Sequence, residues 1–278
     1  MQKIKIITDS TIDIPSELIE KNDIEVMPLL INFGEDSYLD GIEITPSEMI
    51  ERINKENVLP TTAQITPIRF EETFKKYLDQ GYKIITLLLS SEMSGTYQSA
   101  CIAKEILDTE DIIVIDSRNV SSGLGLLTLR ACKLRDNGAS IQEIEEELIK
   151  VRDKIKCTLN FESLDNLVRG GRLPKVAGAI GTALGLRLIL EIKDGKIGVK
   201  DKVRGSKKAL KKLISDFESS DVDFNEPIVL LELLNEDVYF GIKNYFEEKN
   251  IEYIDAKVGC AVGIHSGIKP CGLFFIVK

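Results

Sequence analysis

Short, uninterrupted apolar runs alternate with amphipathic stretches along the first half of the chain. The runs at 4–8, 84–89 and 112–115 consist largely of Ile, Leu and Val. Continuous runs of this kind are typical of parallel strands that are buried on both faces. The stretches that follow them, such as 67–80 and 122–137, are predicted helices. The pattern therefore predicts an N-terminal parallel sheet flanked by helices.

A hairpin signal distinguishes the second half of the chain. The apolar runs at 188–192 and 197–202 flank Asp194-Gly195, which is the strongest short hairpin signal. Ser206 is expected to cap a following helix, as Thr66 is in the first half. With further strands predicted at 156–161, 228–234, 251–258 and 273–277, the second half is predicted to be a mixed or antiparallel α/β domain. We place the N-terminal domain at 1–155 and the C-terminal domain at 156–278, with a ligand between them.

Composition narrows the class of protein. The 278 residues are 43% hydrophobic and carry a net charge of −9, which argues against disorder and against nucleic-acid binding. Five cysteines without a C-x-x-C pair indicate neither a disulfide framework nor a zinc ribbon. A single histidine argues against a histidine-rich metal site. With no signal peptide and no apolar run of transmembrane length, a cytoplasmic location is predicted.

Hydroxyl and acidic residues follow three of the predicted parallel strands, at Thr8-Asp9-Ser10, Ser90-Ser91 and Asp116-Ser117. Ligands of open α/β sheets bind at this edge, although residues of these types also serve as helix caps. Ser94 lies in a segment with more hydroxyls than a single cap requires. Asp13 is interpreted as an N-cap or turn residue rather than as half of a phosphatase-like carboxylate pair with Asp9.

His265 and two arginines lie in glycine-containing segments. His265 is surrounded by Gly259, Gly263 and Gly267, and both a structural and a ligand-binding role are open for it. Arg172 and Arg204 each adjoin glycine, whereas the lysines at 207–212 are interpreted as a solvated helix face. The chain carries no P-loop, no complete dinucleotide fingerprint and no G-x-S-x-G elbow, so neither an ATP site nor a cofactor is predicted.

Taken together, these segments resemble the DegV family of bacterial lipid-binding proteins over nearly the whole chain. The matching residues are Thr8-Asp9-Ser10 with Asp13 and Pro15, Pro60–Gln64, Ser91 with 94–100, Asp116-Ser117, Gly170-Gly171-Arg172, Val203-Arg204-Gly205, and Gly263, His265 and Gly267. The resemblance implies two α/β domains that hold a long-chain fatty acid between them. It also implies the lipid-binding subunit of a fatty acid kinase system, which is not catalytic alone and presents the acid to a separate ATP-dependent kinase subunit that forms acyl phosphate.

The resemblance also implies roles for five residues. Thr62, Ser94 and His265 would surround the carboxylate, and Arg172 and Arg204 would face the kinase subunit or the transferred phosphate. Transient membrane contact is left open. The chain departs from the family pattern at Ala63, where Ser is common, and at 268–270, where Gly-Pro-Gly is usual after the histidine.

Two alternatives remain at this point. One is a serine hydrolase that uses Ser94 and His265, which requires a carboxylate to orient the histidine and an oxyanion hole. The other is a carrier of a different amphipathic carboxylate. The sequence leaves open the chain length and saturation of the acid, the oligomeric state, and whether the cognate kinase is the physiological partner.

Overall fold

The computed structural model describes residues 2–174, 185–267 and 269–278. The strands are β1 (Ile4–Asp9), β2 (Ile24–Met27), β3 (Leu30–Phe33), β4 (Asp36–Leu39), β5 (Thr61–Ala63), β6 (Lys83–Leu88), β7 (Ile112–Asp116), β8 (Ile155–Phe161), β9 (Leu186–Lys193), β10 (Lys196–Arg204), β11 (Val229–Glu232), β12 (Ile254–Lys257) and β13 (Cys271–Ile276).

The helices in the described residues are α1 (Ser16–Lys21), α2 (Pro46–Glu56), α3 (Pro67–Leu78), α4 (Thr96–Leu107), α5 (Ser122–Asp136), α6 (Ile141–Val151), α7 (Asp165–Arg169), α8 (Ser206–Glu218), α9 (Glu236–Lys249) and α10 (Cys260–Ser266). Strands and helices alternate along most of the first half, as the pattern of apolar runs predicts.

Two larger sheets confirm the predicted α/β fold. The first is parallel, with the strand order β2–β1–β6–β7. The second has the order β10–β9–β8–β13–β11–β12 and is antiparallel except for the β11–β12 pair. Its β9–β10 hairpin turns at Asp194 and Gly195, whose φ angles of 51° and 77° fit a type I′ turn. The hairpin prediction is therefore confirmed.

A third, smaller sheet was not predicted. Its antiparallel order is β4–β3–β5, and Thr62 on β5 pairs with Ile31 on β3. Pro28 lies between β2 and β3, so the apolar run at 24–33 forms one strand in each of two sheets. This small sheet places Thr62 beside the larger parallel sheet.

Helix α5 is the layer shared by the two larger sheets. It contacts β1 and β6 on one side and β8 and β13 on the other, and the residues of its first two turns are buried on every side. One apolar cluster therefore runs from Ile6 through Leu127 to Leu159. The mixed sheet begins at Ile155, and a division of the chain into two domains there stays a prediction.

The prediction that Ser206 caps helix α8 was wrong. Gly205, not Ser206, is the N-cap of α8, and the Ser206 hydroxyl instead accepts a hydrogen bond from Arg187. The prediction that Thr66 is the N-cap of α3 is confirmed, although its side chain accepts no hydrogen bond from the helix backbone. No helix was predicted around His265, and the glycine-containing segment that carries it forms helix α10. This last difference matters most, because α10 carries His265 to the small sheet.

Candidate ligand-binding site

A narrow apolar cavity lies between the mixed sheet, the ends of the parallel strands and helix α10. Its wall includes Leu159, Leu190, Ile197, Val258 and Phe274. The cavity volume is about 90 Å³. Because the wall is largely hydrocarbon, a ligand that fills the cavity must present an apolar surface.

Polar side chains line one end of this cavity. Thr62 Oγ1 lies 2.8 Å from His265 Nε2, and Ser94 and Arg172 line the same cavity. Ser94 Oγ accepts a hydrogen bond from the Thr96 backbone N–H at 3.2 Å and lies 3.0 Å from the Thr96 hydroxyl. The structure thus brings together four of the five predicted site residues.

The other hydroxyls in the cavity wall are already engaged. Thr11 donates to Asp9 at 2.6 Å, Ser121 donates to Asp13, and Ser266 donates to a backbone carbonyl at 3.1 Å. Hydroxyl protons that point into the wall are not offered to a ligand. The cavity therefore has one polar end, which suits a ligand with a single polar head group.

His265 is held as a neutral imidazole. Burial, with a smaller contribution from the Arg172 guanidinium, lowers its pKa to about 4. The imidazole also lies tightly against the chain, because a Cβ at Gly170 would approach His265 Nδ1 to 2.3 Å. If the Thr62 hydroxyl donates to a ligand, His265 must donate Nε2–H to Thr62 Oγ1, since a hydroxyl carries one proton.

Arg172 is half-buried in the cavity wall rather than on an outward-facing surface. Its Nε donates to the Met93 carbonyl at 3.0 Å, and its Nη1 donates to the Gly170 carbonyl. Burial lowers the pKa of the guanidinium, which an adjacent anion would offset. Its backbone position after the α7 turn therefore places a cation at the polar end of the cavity.

An outer cleft of about 610 Å³ adjoins the polar end. Four residues line both the cavity and the cleft: Thr62, Arg172, His265 and Ser266. We call these four residues the junction. A head group bound there contacts the cavity on one side and can be approached through the cleft on the other.

Arg204 lies apart from the junction. It is exposed at the end of β10 and lines neither the cavity nor the cleft. Among the lysines interpreted as a solvated face, Lys207, Lys208 and Lys211 are exposed. Lys212 differs, because it pairs with the buried Asp216 at 2.8 Å, so the solvated interpretation was wrong for it.

The two departures from the family pattern bear differently on the site. Ala63 follows Thr62 on β5, where successive side chains point to opposite faces, and it lines neither the cavity nor the cleft. The missing hydroxyl therefore leaves the described wall unchanged. Ile268 lies outside the described residues, whereas Pro270 lines the cavity.

The geometry disfavours the serine-hydrolase alternative. No hydrogen bond joins Ser94 to His265, and no carboxylate contacts the imidazole, in the part of the chain that the structure describes. An imidazole with a pKa of about 4 is also a weak general base at neutral pH. Ser94 thus lacks the activation that a nucleophile requires.

The acidic strand-end residues bind neighbouring backbone and hydroxyl groups. Asp9 accepts from the Leu89 backbone N–H at 2.8 Å, and Ser91 donates to Asp116 at 2.6 Å. Asp9 also accepts from the Thr11 N–H at 2.9 Å, which is a turn contact. Asp13 is different: it does not cap α1, and sequence reasoning missed its buried contacts with Ser121 and Gly259.

Residues 2–174, 185–267 and 269–278 contain no group of three or more His, Cys, Asp or Glu side chains that could hold a metal ion. In the same ranges, no helix combines the length and the apolar character needed to cross a bilayer.

Comparison with known proteins identifies the family. The family profile described as "Uncharacterised protein, DegV family" matches residues 3–278. A DegV domain-containing protein of Clostridium perfringens is 55% identical over 276 residues, which are 99% of each chain.

Two solved structures are similar over nearly their whole length. One is reported as "Fatty Acid Binding of a DegV family Protein from Thermus thermophilus" (28% identity, 100% of both chains, TM-score 0.88). The other is a stearic acid-binding protein from Eubacterium ventriosum (25% identity, 100% of this chain and 99% of that one, TM-score 0.85). From its sequence and its fold alike, the chain is a member of the DegV family.

Proposed function

We propose that this protein binds one long-chain fatty acid with its acyl tail in the apolar cavity and its carboxylate at the junction. We further propose that it presents this carboxylate to a separate ATP-dependent kinase subunit, which forms acyl phosphate. The observation that carries the proposal is the junction itself, where the single polar end of an apolar cavity meets an outer cleft. The similar proteins of Thermus thermophilus and Eubacterium ventriosum, reported to bind fatty acids, support the ligand class.

The tail is expected to supply most of the affinity. Burial of an acyl chain contributes roughly 0.8 kcal/mol per CH₂, so about 15 carbons contribute on the order of 10 kcal/mol before the costs of association. A narrow cavity suits a single extended chain better than a compact ring system. Because few polar groups line the wall, the cavity can distinguish one acyl tail from another only by shape.

The head group is expected to be positioned rather than held tightly. Hydrogen bonds to a charged group contribute roughly 1.5–3 kcal/mol each, and they offset the cost of removing a carboxylate from water. Thr62 and Ser94 supply hydroxyl donors, and Arg172 supplies positive charge. In this arrangement His265 acts through Thr62, because its Nε2–H turns the Thr62 hydroxyl proton toward the ligand.

Presentation to a partner, rather than chemistry by this chain alone, fits the rest of the site. The sequence carries no phosphate-binding loop for ATP, and Ser94 is not activated as a nucleophile. The outer cleft leaves one side of the junction open to an incoming phosphoryl donor. The carrier role, the kinase partner and a cytoplasmic location form one proposal.

Mass spectrometry tests the proposal at two levels. Native spectra of the purified protein should show one bound carboxylic acid per chain, and extraction should identify it as a long-chain fatty acid. A different amphipathic acid would support the alternative carrier. With ATP and the kinase subunit added, acyl phosphate should form. Absence of any ligand, together with rejection of added palmitate and oleate, would sink the proposal.

A further inference from the structure

Three buried carboxylates lie near one another behind the cavity wall, and two of them contact the helix that carries His265. Asp9, Asp13 and Asp40 are all nearly inaccessible to solvent. None of them forms a salt bridge within the described residues. A buried carboxylate without a cation lowers the stability of the folded protein. Hydrogen bonds must offset this cost.

Asp13 joins the two halves of the chain at the start of α10. Its Oδ1 accepts the Gly259 backbone N–H at 2.8 Å, and its Oδ2 accepts the Ser121 hydroxyl. The fit is close, because a Cβ on Gly259 would lie 3.0 Å from Asp13 Oδ1. One carboxylate from the first half thus holds the N-cap residue of a helix from the second half.

Asp40 holds the same end of α10 from the small-sheet side. Its Oδ2 accepts the Ala261 backbone N–H at 3.3 Å and the Ser10 hydroxyl at 2.7 Å. The first N–H groups of a helix have no partner within the helix, and two carboxylates supply two of the missing acceptors here.

The other end of α10 carries the junction. His265 and Ser266 are its last two residues, about 8 to 9 Å along the helix axis from its first residue at 1.5 Å per residue. A short helix fixed at its start by two buried groups has little freedom to tilt. The position of the imidazole relative to Thr62 on β5 therefore depends on both carboxylates.

We propose that Asp13 and Asp40 are positioning residues that fix helix α10 and thereby hold His265 in hydrogen-bond contact with Thr62. The inference rests on the proposed function in one respect, since the junction that α10 orients is the proposed carboxylate site. The geometric part of the proposal concerns the imidazole alone and requires no ligand.

The single histidine of the chain makes a direct test available. Two-bond ¹H–¹⁵N spectra of the ¹⁵N-labelled protein report the tautomer and the titration of His265 without ambiguity. In the parent we expect one neutral tautomer and no titration down to about pH 5. In Asp13→Ala and in Asp40→Ala we expect averaged tautomers and a titration midpoint at least one pH unit higher.

Two further variants separate positioning from general stability. Asp13→Asn keeps an oxygen for the Gly259 N–H and should retain the parent spectrum. Asp9→Ala is the matched control, because Asp9 is equally buried yet touches no residue of α10; it should also retain the parent imidazole signals. Should Asp13→Ala fail to fold, Asp40→Ala and Asp13→Asn still decide the matter.

A parent-like imidazole spectrum in folded Asp40→Ala and in folded Asp13→Ala would overturn the proposal, as would an equal perturbation in Asp9→Ala. A second measurement links positioning to function. Palmitate affinity should stay within threefold of the parent in Asp40→Ala, while kinase-coupled acyl phosphate formation falls at least tenfold. If the parent neither binds palmitate nor supports turnover, the proposed function fails, and the spectra still decide the role of the carboxylates.

Discussion

The apolar part of the cavity, which we call its body, and the polar junction contact a ligand through different kinds of interaction. The body is lined mainly by side chains such as Leu159, Leu190 and Phe274, whose packing against hydrocarbon is favourable and nondirectional. The junction includes Thr62, His265 and Arg172, whose hydrogen bonds depend on angle and distance. One region therefore accounts for how tightly a ligand is held, and the other for where its head group lies.

The surrounding structure also holds the two regions in place by different interactions. The body belongs to one continuous apolar cluster that spans both larger sheets, so a local change there can be accommodated by neighbouring side chains. The junction depends on single hydrogen bonds that connect distant segments, such as those from Thr62 to His265 and from Asp13 to Gly259. We expect mutations in the body to affect affinity and mutations around the junction to affect turnover.

The largest expected effect comes from filling the body of the cavity. Ile197→Trp places a larger ring in the wall, and expelling even four methylene groups of the tail costs about 3 kcal/mol, or more than a hundredfold in affinity. Titration with a fluorescent fatty acid measures the loss.

Val199→Trp is the matched control for that substitution. Val199 lies two residues along the same strand, packs against the same apolar cluster and does not line the cavity. It should bind the acid as the parent does. Parent affinity in Ile197→Trp would show that the tail lies elsewhere.

A smaller effect on binding and a larger one on turnover are expected at Thr62. Thr62→Val removes one hydroxyl and leaves the shape of the side chain unchanged. Affinity should fall roughly tenfold, because a hydrogen bond to a charged group contributes at least about 1.5 kcal/mol, while kinase-coupled turnover falls about a hundredfold because the carboxylate is also misplaced. Parallel titration and turnover assays measure the two effects, and Thr61→Val controls for affinity. Equal losses in both assays would refute the separation of roles.

The two arginines should differ by about tenfold in their effect on fatty-acid binding. The resemblance gave both arginines the same role toward the kinase subunit or the transferred phosphate, but Arg172 lines the cavity whereas Arg204 is exposed and does not line it. Arg172→Ala should therefore lower palmitate affinity about tenfold and raise the pKa of His265, since the guanidinium lowers it.

Arg204→Ala should keep the parent affinity and lower only kinase-coupled turnover. Calorimetric titration with palmitate compares the two variants directly. The account of the junction would be contradicted by equal palmitate affinities in Arg172→Ala and Arg204→Ala.

The buried carboxylates predict an unusual dependence of stability on pH. Burial raises the pKa of Asp13 to about 8 and that of Asp9 to about 6. Between pH 4 and 8 the folded protein keeps protons that the unfolded chain has lost, so these groups make stability fall as pH rises. Urea unfolding at pH 5 and pH 8 should therefore show a smaller difference for Asp13→Asn than for the parent.

An exposed carboxyl supplies the comparison for the pH experiment. Asp79 lies at the end of α3 and is exposed to solvent. In Asp79→Asn the free energy of unfolding should differ between pH 5 and pH 8 by as much as in the parent. An unchanged difference in Asp13→Asn would mean that Asp13 is not protonated in the folded state.

The parts of the fold that sequence reasoning predicted depend on local patterns. Buried parallel strands are continuous apolar runs, and Asp194-Gly195 determines its own turn. Helix α10 was missed because Gly259, Gly263 and Gly267 suggest irregular backbone, although only Gly267 has a positive φ. The small sheet was missed because β4 and β5 are short and largely polar, and tertiary pairing with β3 decides their conformation.

The side chains at the polar end of the site could be predicted, because their types and motifs match a known family. The resemblance to a family named Thr62, Ser94, His265 and Arg172 as site residues, and the structure brings these four together. Asp13 was interpreted as a turn or cap residue because its partner, Gly259, lies 246 residues away. No local pattern reports so distant a contact, and the same holds for Asp40 and Ala261.

The position of the ligand head group is the central claim, and the carboxyl resonance of bound [1-¹³C]palmitate tests it most directly. We predict one resonance displaced from that of the free acid, which moves again in Thr62→Val and in Ser94→Ala and stays in place in Arg204→Ala. A resonance that coincides with that of solvent-exposed palmitate and ignores Thr62→Val would contradict the account.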